Sequence, residues 1–165
     1  MAELPRTSRT GLYTAEERAR RDGSVWTLVQ GVLAPLQFLV FLVSLALVLR
    51  FLVNGEGFYA ASISIIIKTL TLYLIMVTGA IWEREVFGRY LFAPAFFWED
   101  VVSMLVLALH TAYLVALFTD GLTQRQQMLL ALAAYASYVV NAGQFVLKLR
   151  AARLESAHGL PEGAR

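Results

Sequence analysis

The sequence contains no cysteine and little charge. Of its 165 residues, 58% are hydrophobic and only 16% are charged. Without cysteine the chain cannot form disulfides, thiolate nucleophiles, iron–sulfur clusters or cysteine-held zinc sites. An ordinary soluble domain carries more charge and interrupts its apolar runs more often. The composition therefore favours a membrane protein.

Several motifs of catalysis and cofactor binding are also missing. There is no GxSxG motif, glycine-rich phosphate loop, HExxH motif or EF-hand loop. The chain has two histidines, and only His110 falls within a long apolar run, which argues against a haem held by two histidines. Carboxylates, amides, tyrosines and one lysine remain, and these can perform general acid–base chemistry. We therefore expect no cofactor and no metal site.

Long apolar runs predict the architecture. A helix needs about 20 mostly apolar residues to cross the hydrocarbon of a bilayer. Four stretches meet this requirement, at about 25–53, 58–81, 101–119 and 128–147. We predict an all-α, polytopic membrane protein with a four-helix transmembrane domain over residues 25–150. Residues 1–24 should form a polar segment with a short surface helix, and residues 151–165 a C-terminal tail.

Lysine and arginine are distributed unevenly around these spans. With four spans, both tails and the central loop share one face of the membrane, which carries 11 basic residues against two on the other face. The positive-inside rule then places both termini in the cytoplasm. Because the basic residues follow the membrane edge, the expected partner is the lipid bilayer, and nucleic acid is not expected.

Acidic residues are concentrated between the second and third spans. Four of the twelve carboxylates fall within residues 81–102: Glu83, Glu85, Glu99 and Asp100. Burial against an aromatic ring disfavours the ionised form of a carboxyl group, which then acts as a proton donor, while a neighbour in a more polar position accepts a proton. We predict that these four residues are catalytic.

The same residues also fit a structural interpretation. Glu99 and Asp100 stand at a predicted helix N-terminus, where the helix dipole favours negative charge. Trp82 and Trp98, which precede two of the glutamates, are typical anchors at a membrane interface. From these rules alone the catalytic and structural interpretations both stay open.

Polar residues within the predicted spans are candidates for substrate binding. A charge such as Lys68 near the middle of a span costs roughly 2.5–3.5 kcal/mol and needs a partner. His110 lies about 16 Å deeper than Glu99 on one helical stripe. Gln37 and Asn141 also fall on polar helix faces. The alternative for each is a structural hydrogen bond between helices.

Three long runs of the sequence resemble a known family. They are RDGSVWTLVQGVLAPLQF from Arg21, VTGAIWEREVFG from Val77 and LFAPAFFWEDVVS from Leu91. These runs resemble the 3-vinyl bacteriochlorophyllide hydratases, named 2-vinyl in older ring numbering. The resemblance extends from about Tyr13 to Arg153. It implies a hydro-lyase of bacteriochlorophyll biosynthesis in the inner (intracytoplasmic) membrane of a phototrophic bacterium.

The resemblance also implies a reaction and a substrate. Such enzymes add water to the C3 vinyl group of chlorophyllide a, or of a related bacteriochlorophyllide, and give a 1-hydroxyethyl group. Magnesium enters only as part of this tetrapyrrole. Aromatic residues near the carboxylates are then expected to contact the flat ring: Trp82, Phe87, Tyr90, Phe96, Phe97 and Trp98.

Our mechanistic hypothesis combines the resemblance with the carboxylates. Glu99 or Glu83 would protonate the terminal vinyl carbon, and Asp100 or Glu85 would hold the attacking water. His110 can ligate the pigment magnesium at the same time only if the ring stands along the helix. A second copy or other enzymes of the pathway are expected partners. Rival hypotheses are a non-enzymatic pigment-binding or scaffold subunit and a small transporter.

Overall fold

A computed structural model describes residues 12–119 and 121–158 of the chain. These residues form five α-helices and no β-strand. The helices are α1 (Ala15–Gly23), α2 (Val25–Asn54), α3 (Phe58–Phe87), α4 (Phe97–Thr119) and α5 (Gln124–His158). The predicted all-α class, including the short N-terminal helix, is confirmed.

Local sequence signals set where the helices begin and end. Thr14 and Glu17 form a capping box at the start of α1, in which each side chain bonds the backbone N–H of the other residue. The Ser24 hydroxyl accepts from the Trp26 N–H and starts α2. Gly55 and Gly88 close α2 and α3 with φ of 76° and 78°, a left-handed conformation in which glycine carries no Cβ penalty.

Two antiparallel hairpins build the bundle. Helix α2 packs along α3, and α4 packs along α5. The hairpins meet where α2 contacts α5 and α3 contacts α4, while α1 lies against α3. Buried side chains from all four long helices fill one core: Phe41, Val48, Ile65, Leu72, Val106, Tyr113, Met128 and Tyr135.

The four long helices are apolar on their outer surfaces as well. By length and composition the helical segments Val25–Asn54, Phe58–Phe87, Phe97–Thr119 and Gln124–Leu154 can each cross a membrane. Large apolar side chains such as Leu28 and Phe118 are exposed. In a bilayer these side chains contact lipid, which is as apolar as the bundle core. The protein is a multi-pass membrane protein.

The helices extend beyond the predicted spans. Helix α3 continues from the predicted end at 81 to Phe87, and α4 begins at Phe97 instead of 101. Helix α5 reaches His158, within the segment assigned to the C-terminal tail. A span prediction marks the hydrocarbon thickness, whereas a helix can continue in the interface, where water satisfies its last backbone groups. Residues 1–11 and 159–165 of the predicted terminal segments lie outside the described residues.

Candidate active site

The end of α3 and the start of α4 bring two carboxyl groups together. Glu83 and Asp100 are both buried, with 5% and 3% of their surface exposed. Their carboxyl groups are close enough across the two helices to interact with each other. Two ionised carboxylates repel each other in a buried site, which favours a proton on one of them. We call Glu83 and Asp100 the carboxyl pair.

Backbone N–H groups of the segment between α3 and α4 indicate which of the two carboxyl groups carries the proton. The Phe92 N–H donates to Asp100 Oδ2 over 2.7 Å, and the Ala93 N–H donates to Glu83 Oε2 over 3.3 Å. The shorter hydrogen bond favours the ionised form of its acceptor more strongly. Asp100 is therefore the better carboxylate of the carboxyl pair, and Glu83 the better proton donor.

Phe92 adopts an unusual backbone conformation at this point. Its φ is 58°, in the left-handed region that non-glycine residues rarely occupy. A residue held there costs on the order of 1–3 kcal/mol and persists only where its surroundings enforce it. Here the conformation directs the Phe92 N–H at Asp100, so the connecting segment 88–96 is shaped around the carboxyl pair.

Glu99 stands beside the carboxyl pair but has a different partner. Lys148, near the C-terminal end of α5, places its Nζ 2.5 Å from Glu99 Oε2. The Glu99 side chain is 8% exposed, so the ion pair is largely shielded on that side. A carboxylate neutralised by an ammonium group is poorly suited to donate a proton. The sequence left Glu83 and Glu99 as alternative proton donors, and the geometry favours Glu83.

Glu85 lies apart from the other three predicted catalytic residues. Its side chain is exposed, and its Oε2 accepts a 2.8 Å hydrogen bond from the Ser24 hydroxyl at the start of α2. The structure thus brings Glu83, Glu99 and Asp100 together and leaves Glu85 at the surface, where it links α2 to α3.

An aromatic cluster joins the end of α3 to α5 and to the residue before α4. Trp82, Phe87 and Phe96 pack with ring centroids 5.7–5.8 Å apart, and Phe145 stacks on Phe96. The indole N–H of Trp82 donates to the Thr27 hydroxyl over 2.9 Å. These rings contact each other, but Trp82, Phe87 and Phe145 are only partly buried. Contact of Trp82, Phe87 and Phe96 with the pigment stays a prediction.

A second group of aromatic residues faces outward. Phe92 contacts Phe97, and Phe97 contacts Trp98, with ring centroids 5.8 Å and 5.4 Å apart. Their exposed fractions are 37%, 44% and 69%. We call Phe92, Phe97 and Trp98 the aromatic patch. Because the Phe92 N–H binds Asp100, the aromatic patch borders the carboxyl pair. Tyr90 is also exposed and has the Arg84 guanidinium 4.6 Å from its ring centroid.

Asn141 supports this region from α5. Its Nδ2 donates to the Glu99 carbonyl over 2.8 Å, and its Oδ1 accepts from the Ser103 hydroxyl. Asn141 therefore hydrogen-bonds α5 to α4 directly next to the candidate site, as its structural interpretation predicted.

The other predicted substrate-binding residues lie deeper in the bundle. His110 is ten residues beyond Asp100 on α4, or about 15 Å along the helix. Lys68 is fifteen residues before Glu83 on α3, or about 22 Å. Both are fully buried, and Gln37 is buried within α2. The structure does not bring these three residues to the carboxyl pair, and their contact with substrate stays a prediction.

Sequence analysis did not include Lys148 among the functional residues. It lies seven residues after Asn141, so both fall on one face of α5. That spacing could have predicted Lys148 as a functional residue, because a buried glutamate such as Glu99 needs a counter-charge. The backbone donors of Phe92 and Ala93 had no sequence signal, because they depend on the shape of segment 88–96.

Two grooves in the described part of the molecule lie elsewhere. One, of about 810 Å³, runs along the outer face of α4 from Met104 to Thr119. The other, of about 370 Å³, is lined by residues of α2 and α3 between Leu28 and Thr78. Neither is lined by a carboxylate. The carboxyl pair is covered in this conformation, because both of its side chains are buried.

Comparisons with known proteins match the chain over most of its length. A model of the 2-vinyl bacteriochlorophyllide hydratase family matches residues 13–151. A 2-vinyl bacteriochlorophyllide hydratase of Rhodobacter capsulatus is 71% identical over 150 residues, covering 91% of this chain and 87% of the relative. One of Cereibacter sphaeroides is 70% identical over 144 residues, covering 87% of this chain and 89% of the relative. The chain belongs to the 2-vinyl bacteriochlorophyllide hydratase family. No solved structure matches it.

These matches confirm the family that was recognised from the three sequence runs. It makes the protein a hydro-lyase of bacteriochlorophyll biosynthesis, and it disfavours the scaffold and transporter hypotheses. The range matched by the 2-vinyl bacteriochlorophyllide hydratase model includes the carboxyl pair, the aromatic patch and Lys148.

Proposed function

We propose that the protein adds water to the C3 vinyl group of chlorophyllide a, or of a related bacteriochlorophyllide, by acid–base catalysis at the carboxyl pair. The observation that carries this proposal is the close approach of two buried carboxyl groups, Glu83 and Asp100. Such a pair holds one proton ready for transfer and one carboxylate ready to receive one.

In the first step, Glu83 donates its proton to the terminal CH₂ of the vinyl group. The double-bond electrons form the new C–H bond, so the terminal carbon becomes a methyl group. Positive charge develops on the carbon attached to the macrocycle, where the π system spreads it. The ionised Asp100 next to Glu83 stabilises this cation electrostatically in a site that excludes bulk water.

In the second step, water attacks the cationic carbon through its oxygen. Asp100 accepts a proton from the water as the C–O bond forms, which leaves the 1-hydroxyethyl product. Transfer of that proton from Asp100 to the neighbouring Glu83 restores the starting state. The enzyme ends with the protons it began with, and the substrate has gained one water molecule. No oxidation or reduction occurs, so the reaction needs no redox cofactor.

The macrocycle lies on the aromatic patch in this proposal. Flat conjugated rings stack favourably on aromatic side chains, and Phe97 and Trp98 expose their rings at the membrane edge. Segment 88–96 covers the carboxyl pair through the backbone of Phe92 and Ala93. The vinyl group therefore reaches Glu83 only when this segment moves aside.

The remaining expectations concern location and partners. We place the protein in the inner (intracytoplasmic) membrane with both termini in the cytoplasm, which puts the carboxyl pair at the cytoplasmic edge. The uneven distribution of basic residues supports this orientation. Association with a second copy or with other enzymes of the pathway stays a prediction.

Amide variants test the assignment. Glu83→Gln and Asp100→Asn preserve side-chain size but remove the proton donor and the acceptor, and each should lower turnover by about 100-fold or more. Glu85→Gln is the matched control, since Glu85 lies on the same helix and is exposed. Hydration is followed by product absorbance in membranes, and pigment binding by the spectral shift of bound chlorophyllide. Undiminished turnover in both pair variants would remove the assignment.

A further inference from the structure

A second group of polar residues lies in the middle of the bundle, away from the carboxyl pair. Lys68 on α3 and His110 on α4 are fully buried. Among the described residues, Lys68 Nζ, His110 Nε2 and the hydroxyls of Ser62 and Tyr113 have no hydrogen-bond partner. The Tyr113 hydroxyl lies near that of Ser62, but not in hydrogen-bond geometry. Buried polar groups are normally paired, so four unpaired ones in one apolar core are unusual.

Three helices bring these groups together. Lys68 Nζ lies 3.7 Å from the ring centroid of Tyr138 on α5, and the His110 ring lies 5.8 Å from the ring of Tyr135. Tyr135 and Tyr138 are one helical turn apart. Lys68 is also close enough to His110 to interact with it electrostatically. Tyr113 interacts with Tyr135 as well, and its hydroxyl lies near that of Ser62, so the unpaired atoms share one region of the core.

Contacts within the protein do not satisfy this region. The face of an aromatic ring attracts an ammonium group, but it replaces only part of the hydration that Lys68 loses on burial. An imidazole nitrogen without a partner also loses its interaction with water. In the low dielectric of the bundle an unpaired polar atom costs more free energy than it does near water. These atoms therefore need a small polar ligand.

The chemistry of the donors and acceptors selects the ligand. His110 Nδ1 lies 2.8 Å from the Val106 carbonyl, which can only accept, so Nδ1 carries the proton and Nε2 is an acceptor. Lys68 supplies donors. A ligand bridging the two must accept from Lys68 and donate to His110. Water does both, whereas a simple anion cannot donate to Nε2.

We propose that Lys68, His110, Tyr113 and Ser62 form an internal binding site for water within the membrane. The water molecules hydrogen-bond Lys68 and Ser62 of α3 to His110 and Tyr113 of α4. The hydrogen-bonded Ser103 and Asn141 lie between this site and Glu99, so the internal site is separate from the carboxyl pair. The proposal does not depend on the proposed reaction.

Radiolytic labelling in lipid nanodiscs tests the proposal. Brief X-ray irradiation converts bound water to hydroxyl radicals, which oxygenate the adjacent side chains even when these are inaccessible to solvent. We expect oxygenation of Tyr113 and Tyr138 by mass spectrometry. Phe96 is a control of similar burial in a separate core cluster, with 1% exposed, and should stay at background. Tyr113 and Tyr138 labelled no more than Phe96 would overturn the proposal.

Two double variants test whether water bound at this site causes the labelling. Lys68→Met/His110→Leu removes the polar atoms that hold water, so labelling of Tyr113 should fall to the level of Phe96. Lys68→Gln/His110→Asn retains polar groups and should retain labelling, which controls for loss of the fold. Adding chlorophyllide before irradiation should leave labelling unchanged. A loss of labelling at both tyrosines on adding pigment would show that pigment displaces this water, and would overturn the separation of the internal site from the reaction.

Discussion

The ammonium group of Lys148 lies 2.5 Å from the carboxylate of Glu99 and joins the last turns of α5 to the first turn of α4. Their side chains are 27% and 8% exposed. The pair is therefore more shielded than an ordinary surface ion pair, whose contribution is small. It also keeps the charge of Glu99 neutralised next to the proposed acid and base.

Removing Lys148 should destabilise the bundle. In Lys148→Met, Glu99 is left buried without its counter-charge. The free energy of unfolding should fall by about 2–3 kcal/mol, less than for a fully buried pair because Lys148 keeps some contact with water. Thermal unfolding followed by circular dichroism in detergent measures this. The double variant Glu99→Gln/Lys148→Met should recover most of the loss, and additive losses would contradict the pairing.

The aromatic patch should affect substrate binding more than turnover. Phe97→Ala and Trp98→Ala each remove a ring proposed to contact the macrocycle. Loss of about 1.4 kcal/mol of stacking and burial corresponds to a KM about tenfold higher. Steady-state kinetics with chlorophyllide in membranes gives KM and kcat separately. Phe118→Ala is the control, since Phe118 is 78% exposed at the opposite end of α4. An equal effect at Phe118 would indicate a general effect of lipid contact.

Gly88 should resist substitution for a backbone reason. Its φ of 78° ends α3, and nothing lies within 4 Å of a Cβ added there. Gly88→Ala should therefore cost about 1 kcal/mol through conformation alone. Gly143 lies within α5 with equally open space, so Gly143→Ala should be neutral or stabilising by up to about 1 kcal/mol. The midpoint of thermal unfolding should fall for Gly88→Ala. It should rise or stay unchanged for Gly143→Ala.

Phe92 allows the backbone and side-chain effects to be separated. Phe92→Ala and Phe92→Gly both remove the ring, but only glycine adopts a φ of 58° without strain. We expect the glycine variant to be more stable than the alanine variant by about 1 kcal/mol. Thermal unfolding of the two proteins measures this difference. If alanine proved the more stable, the left-handed conformation at this position would be wrong.

The orientation in the membrane can be tested without background labelling, because the chain has no cysteine. Glu16→Cys places a thiol on α1, and Glu56→Cys places one in the turn between α2 and α3. With both termini in the cytoplasm, a membrane-impermeant maleimide should label Glu56→Cys in right-side-out vesicles and Glu16→Cys only in inverted ones. The reverse pattern would place the carboxyl pair on the opposite side of the membrane.

Local sequence rules predicted the four spans and the short N-terminal helix. The structure shows that Thr14, Ser24 and Gly88 bound the helices through contacts within one helical turn. The four spans depend on the length of apolar runs, which is also a local property. Such features are decided by neighbours in the chain, so one sequence is enough to predict them.

The candidate site was only partly predictable. The sequence grouped Glu83, Glu85, Glu99 and Asp100 and resembled the hydratase family, but local rules could not rank the four carboxylates. Glu83 and Glu85 are two residues apart on one helix, and their directions therefore differ by about 200°. One consequently faces the bundle and the other faces outward.

What the sequence alone determined was a membrane bundle of four apolar helices with acidic residues at one edge and the family to which it belongs. Only the tertiary structure decided that Glu83 meets Asp100, that Lys148 neutralises Glu99, and that Phe92 directs its N–H at the carboxyl pair. These relationships join different helices, and they depend on helix rotation and on the path of segment 88–96. Neither quantity is contained in the periodicity of a single segment, because each is fixed by packing between segments.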